Sequence, residues 1–187
     1  MGRYSVQNRK GFLTSSMKWA LLAPTMLIAP AAHATTYLTV EQAQALMFPG
    51  AVLQPAFRTL TNDDVAAIKT ASGVSPLGRE LKAWRASTGG WLIVDRVVGK
   101  HEFITFAVAL DQTGAVRSVE IMDYRESYGD EIRNPKWRAQ FTGKRKGAAL
   151  KLDQDIKNIS GATLSCRHVA DGVKRLLATH AAVLART

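Results

Sequence analysis

The chain has 187 residues, 47% hydrophobic and 21% charged, which bounds it to about one globular domain with small additions and argues against a disordered or repeat protein. Its single cysteine, Cys166, excludes an internal disulfide and argues against a cysteine-built zinc cluster or a Cys-x-x-Cys-His haem site. The formal charge of +10 falls to +6 without residues 1–34, and the remaining basic residues are scattered, so nucleic acid is not an expected partner.

Residues 19–32, WALLAPTMLIAPAA, follow basic residues and are too short and too proline-broken for the roughly 20 residues of a good membrane span. They end in Ala32-His33-Ala34, the small-x-small pattern of a signal-peptidase site. Residues 1–34 are therefore expected to be a signal peptide, with the mature chain starting at Thr35 in the periplasm. Met17-Lys18 would open a complete compact signal by itself, and Arg9-Lys10-Gly11-Phe12-Leu13 is similar to a degenerate twin-arginine signal. Both routes export the protein. Membrane association through an uncleaved N-terminus stays open.

A helical lead-in is expected over residues 35–80. Thr39-Val40-Glu41-Gln42 fits a capping box, opening a helix with Ala43, Leu46 and Met47 on its apolar face and Pro49-Gly50 at its end. A second helix starts near Thr61 or Asn62, uses Asp63 and Asp64 in its first turn, and stops at Gly73. The period then changes. Residues 81–87 and 91–98 flank Thr88-Gly89-Gly90, and residues 103–110 and 115–122 flank Asp111-Gln112-Thr113-Gly114, which predicts a meander of four antiparallel strands. Both sets of alternating residues from Phe103 to Leu110 are largely apolar, so the sheet is expected to be covered on both faces.

Residues 123–147 are polar, aromatic and irregular, a composition common in binding loops. A terminal helix follows from about residue 165 to 185, with Val169, Val173, Leu176, Leu177, His180 and Leu184 on one stripe and Arg167, Asp171, Lys174 and Arg175 largely elsewhere. His180 is expected to pack at the edge of the core. The fold class is therefore α+β, an antiparallel meander packed with helices.

Chemistry concentrates just before the terminal helix, in Ser160-Gly161-Ala162-Thr163-Leu164-Ser165. Ser160 and Thr163 are expected to cap the helix through their oxygens, and Gly161 permits a positive φ. The first-turn N–H groups and the helix dipole favour an anion such as phosphate, with Lys157 and Arg167 adding charge. A non-redox envelope module that recognises an anion there is one reading. Thiol chemistry at Cys166 is another, weakened because His168 projects in a different direction on the helix.

Residues from about Trp91 to Leu177 resemble the small FMN-binding domain of the Rnf complex G subunit and of the C subunit of sodium-translocating NADH:quinone reductase, which also occurs in stand-alone exported flavoproteins. The hallmark Ser/Thr-Gly-Ala-Thr followed by x-Ser/Thr is matched by Ser160 through Ser165. Glu126-Ser127-Tyr128-Gly129 is similar to the family's flavin-facing Glu-Thr-Pro-Gly loop, with Tyr128 in place of proline, and Phe141-x-Gly143-Lys144 follows its Phe-x-Gly-Lys pattern. The resemblance places an FMN-binding domain at residues 81–187. It implies FMN as cofactor, bound through a phosphoester on Thr163 made by a flavin transferase that uses FAD, and an electron carrier working with a membrane redox partner rather than an enzyme with its own substrate. Tyr124, Tyr128 and Trp137 become candidates to flank the ring, and Glu126, Arg125 or Arg133 to bias its potential. One departure stands out: Lys157 occupies the position where the family usually has Asp, and Asp155 lies two residues earlier.

Overall fold

Two threonines start the first two helices, each by the same reciprocal device. In α1 (Val40–Met47) the Thr39 hydroxyl accepts from the Gln42 N–H while the Gln42 side chain accepts from the Thr39 N–H. In α2 (Asn62–Ser72) Thr61 and Asp64 exchange the same pair of bonds, and Gly73 ends the helix at φ +75, in the left-handed region where a side chain is penalised. The computed structural model describes residues 35–186, so the expected signal peptide lies outside them. The apolar face of α1 differs from expectation in one residue: Ala43 and Met47 are buried, but Leu46 is exposed.

The four expected strands are present as β4 (Glu80–Ala86), β5 (Trp91–Val98), β6 (Phe103–Leu110) and β7 (Val116–Tyr124), an antiparallel meander. Three short strands in the segment read as helical lead-in extend it. β1 (Thr35–Thr36) pairs with β7, while β2 (Leu53–Pro55) and β3 (Arg58–Thr59) pair with different parts of β4. The sheet order is β1-β7-β6-β5-β4-β2, with β3 off that path. The fold is α+β, as expected.

β6 explains why both of its faces are apolar. Ile104, Phe106, Val108 and Leu110 pack with Val169, Val173, Leu176 and Leu177 of α4 (Thr163–Thr179), whereas Ala107 and Ala109 pack with Ala43, Met47 and Phe48. Each fully buried Val or Leu contributes about 1.5–3 kcal/mol, so the α4 stripe is a main source of cohesion between helix and sheet. After Thr179 the chain continues as a π-helical segment, His180–Leu184, with His180 half-buried against Gly114 as expected of a core-edge histidine.

Arg175 corrects the sequence reading of α4. It lies inside rather than on the outer face, only 3% exposed, and its guanidinium reaches Asp95 Oδ2 at 2.7 Å and the Arg96 carbonyl at 3.0 Å. A buried arginine needs a partner of this kind, because a desolvated charge left alone is costly. This pair fixes the middle of α4 on β5. In the segment between β7 and α4, the chain forms short helical turns including α3 (Pro135–Arg138), whose Asn134 side chain caps Lys136. Arg138 forms an ion pair with Glu120 of β7, and the Phe141-to-Lys144 turn exchanges backbone bonds with Val116.

Candidate functional site

At the start of α4 the geometry differs from the expected hydroxyl caps. Ala162 is the N-cap residue, φ −117 and ψ 19, and no side chain caps the helix. Gly161, at φ +85, turns the chain just before it, and Ser160 is left exposed with no capping bond. Thr163 is already the first helical residue, so its hydroxyl cannot reach back as an N-cap would. The Cys166 N–H closes the first turn onto the Ala162 carbonyl at 2.9 Å. The N–H groups of Thr163, Leu164 and Ser165 thus begin a helix without a side-chain acceptor, at its positive end.

The residues of the motif divide by burial. Thr163 and Leu164 are exposed, whereas Ala162 and Ser165 are buried. A Cβ built on Gly129 would lie 2.7 Å from the Tyr124 hydroxyl oxygen and 3.0 Å from the Ala162 Cβ. Gly129 therefore lets the 126–129 loop close on the Ala162 turn, and its φ of +95 suits glycine for a second reason. Tyr124, the last residue of β7, fastens the two together: its hydroxyl bonds to the Tyr128 carbonyl and meets Ser165 Oγ at 3.1 Å. Burial is the main influence that pushes this phenol above its ordinary pKa; the Ser165 bond opposes it, and the charges of Glu126, Asp130 and Glu131 add to it.

Glu126 faces away from this contact. Its Oε1 accepts from the N–H groups of His101 at 2.6 Å and Glu102 at 3.0 Å, so it pins the turn between β5 and β6. Gly99 makes room, since a Cβ there would collide with the same oxygen. Burial, the largest single influence, works to raise the Glu126 pKa; the N–H groups of Glu102, His101 and Lys100 together outweigh it, leaving the carboxyl below its usual 4.5. A depressed carboxyl stabilises the fold above the unfolded value and loses that contribution as pH falls through the folded value. The His101 and Glu102 amide signals are therefore expected to titrate together with a midpoint below 4.5; an NMR titration with its midpoint at or above 4.5 would contradict the pin.

Of the three aromatic residues expected to flank a ring, only Tyr128 stands open, at 86% exposure. Trp137 is a core residue instead: it packs edge-on to Phe141 with centroids 5.3 Å apart, and its Nε1 donates to the Lys157 carbonyl at 2.7 Å. Arg125 pairs with Asp123 at 3.0 Å, and Arg133 lies 3.4 Å over the Tyr37 ring. Ser127 is exposed on the loop. Cys166 is fully buried, and that burial pushes its thiol pKa up, which disfavours the thiolate that nucleophilic chemistry needs.

Lys157 is exposed, and its backbone is clamped on both sides: its N–H donates to Gln140 Oε1 at 2.8 Å and its carbonyl accepts from Trp137. Asp155 does not substitute for the expected carboxylate, because its Oδ2 accepts from the Lys151 N–H in a local turn. The residue that does reach Thr163 was not singled out from the sequence. Asn158 Nδ2 donates to Thr163 Oγ1 at 3.0 Å, while Asn158 Oδ1 is buried with no hydrogen-bond partner. A stranded buried acceptor costs about 1–3 kcal/mol. An asparagine next to a threonine-containing turn is a common polar spacer, so only the folded geometry distinguishes it.

One cleft of the molecule lies elsewhere. About 530 Å³ in volume, it opens beside Arg79, Lys82, Asp95, Arg96 and Arg175. Arg175 is about 18 Å along α4 from Thr163 at 1.5 Å per residue. The Ser160–Ser165 turn does not line this cleft. Among the described residues no cluster of metal-ligating side chains occurs.

Comparison with known proteins adds one finding on this part of the chain. Residues 99–178, from the turn after β5 through most of α4, match the family model described as FMN-binding domain. No curated protein matches the chain.

Proposed function

The segment from residue 99 to 178 is an FMN-binding domain and FMN its cofactor, and from that premise we propose an exported electron carrier with FMN held covalently on Thr163. The observation that carries this reading is the exposed Thr163 hydroxyl at the head of α4, inside the matched domain and held by Asn158. The residues present fit the cofactor. Gly161 has nothing within 4 Å of the place its Cβ would occupy, the first-turn N–H groups have no side-chain cap, and Asn158 Oδ1 lacks a partner.

Thr163 is the attachment residue, through a phosphoester made by a flavin transferase that uses FAD. Once bound, FMN supplies the one- or two-electron chemistry. The chain supplies the mount. Uncapped N–H groups at the positive end of α4, with exposed Lys157 and Arg167 nearby in sequence, favour the phosphate. Tyr128 and Leu164, both exposed, offer apolar surface on the two segments that Gly129 and Ala162 bring into contact. A cofactor fixed at the surface is open to a membrane reductase on one encounter and to an acceptor on another. Residues 1–34 supply the export signal, and a covalent bond keeps the flavin from being lost in the periplasm.

Mass spectrometry of the protein produced together with the transferase tests the reading. The expected product is yellow, keeps FMN after denaturation, and begins at Thr35. A colourless product that binds inorganic phosphate at the same turn would replace it with the anion-binding module.

A further inference from the structure

Thr163 is held in place by a residue outside the motif. Trp137 Nε1 and Gln140 Oε1 grip the carbonyl and N–H of Lys157, and the next side chain, Asn158, reaches Thr163 Oγ1 at 3.0 Å. Trp137 is buried in the core, so this grip is anchored to the rigid part of the fold. The Asn158 amide has one end on Thr163 and the other buried without a partner. Turned over, it would still strand one end. Packing alone gives no reason to keep such an amide, since an apolar side chain would fill the space without stranding a polar atom.

We propose that Asn158 is the positioning residue for flavinylation, presenting the Thr163 hydroxyl to the transferase from a side chain one place beyond Lys157. The inference rests on the reading of Thr163 as the attachment residue. In the transfer, Thr163 Oγ1 forms a bond to the flavin-side phosphorus of FAD and the phosphoanhydride P–O bond breaks. AMP leaves with the bonding pair, the hydroxyl proton passes to a base on the transferase, and nothing is oxidised or reduced. The donated bond from Nδ2 occupies one lone pair of Oγ1, which fixes the Thr163 rotamer and leaves the second lone pair and the proton free. The unusual Lys157 then carries no direct duty toward the hydroxyl. Its backbone, not its side chain, is what the site uses.

The test is a flavinylation time course on the full chain produced without the transferase, then mixed with transferase and FAD and followed by mass spectrometry. Asn158→Ala and Asn158→Asp are each expected to lower kcat at least about tenfold with KM for the protein unchanged. The thermal midpoint of the unmodified protein should stay close to that of the parent. Asp has the shape of Asn but cannot donate, and its charge opposes the incoming phosphate, so it carries the test even where the Ala variant folds poorly. Parental kcat in either variant, or a loss confined to KM or tracking the thermal midpoint, overturns the proposal while Thr163 stands. An adduct on Thr163→Ala, or none on the parent chain, removes the attachment reading and this proposal with it.

Discussion

Thr163→Ala is expected to leave no covalent FMN at all while the protein folds as before. The loss is all-or-none because the proposed phosphoester needs an oxygen at that position and alanine has none. Stability should barely change. Thr163 is exposed, caps nothing, and makes one side-chain bond, to Asn158. Alanine is also the better helix former, so the change should stay within about 0.5 kcal/mol. Thr163→Ser keeps the hydroxyl and should still be modified. Denaturing gel fluorescence and intact mass, read beside a thermal melt, separate the outcomes. Adduct on the Ala variant would place the linkage elsewhere, and a cooperative loss of fold would show that Thr163 holds α4 together.

Gly172→Val should have the largest effect on stability, costing roughly 3 kcal/mol. Gly172 is in α4 where the helix crosses the sheet. A built Cβ would lie 2.7 Å from Phe106 Cζ and 2.8 Å from Val97 Cγ1, and both neighbours are buried in the core. Neither can swing into solvent. Valine adds two methyl groups beyond the clashing Cβ and loses rotamer freedom in a helix. Gly172→Ala separates the terms: its helix propensity gains about 1 kcal/mol, which offsets much of a single-methyl overlap. Denaturant titration should therefore order the variants as parent, Ala, Val. A Val variant as stable as the parent would mean that α4 can stand off from β5 and β6 without cost.

Much of the scaffold was legible because its signals are local. Thr39 and Thr61 each precede their capping partner by three residues, and Gly73 sits where a left-handed cap is needed. The doubly apolar pattern of β6 announced two covered faces. The misses came from long-range partners. β1, β2 and β3 have two or three residues each, too short for any periodicity, and exist because β7 and β4 have edges to pair. Arg175 reads as a surface residue until Asp95, 80 positions away, is folded against it. At the site, Ser160 and Thr163 carry no cap of the kind their hydroxyls announce, because Gly161 and Ala162 start the helix by backbone shape. Glu126 was read beside the ligand, yet the β5–β6 turn claims it.

The hydroxyl of Tyr124 has one more consequence. A phenol has a single proton, and the Tyr128 carbonyl can only accept, so that proton points into the loop. Ser165 then meets the same oxygen only by giving its own proton to it. The serine is left with lone pairs to show a phosphate, which would repel its oxygens, while Thr163 still has a proton to lose. Two hydroxyls two residues apart are thus told apart by an aromatic ring 41 positions before the second of them.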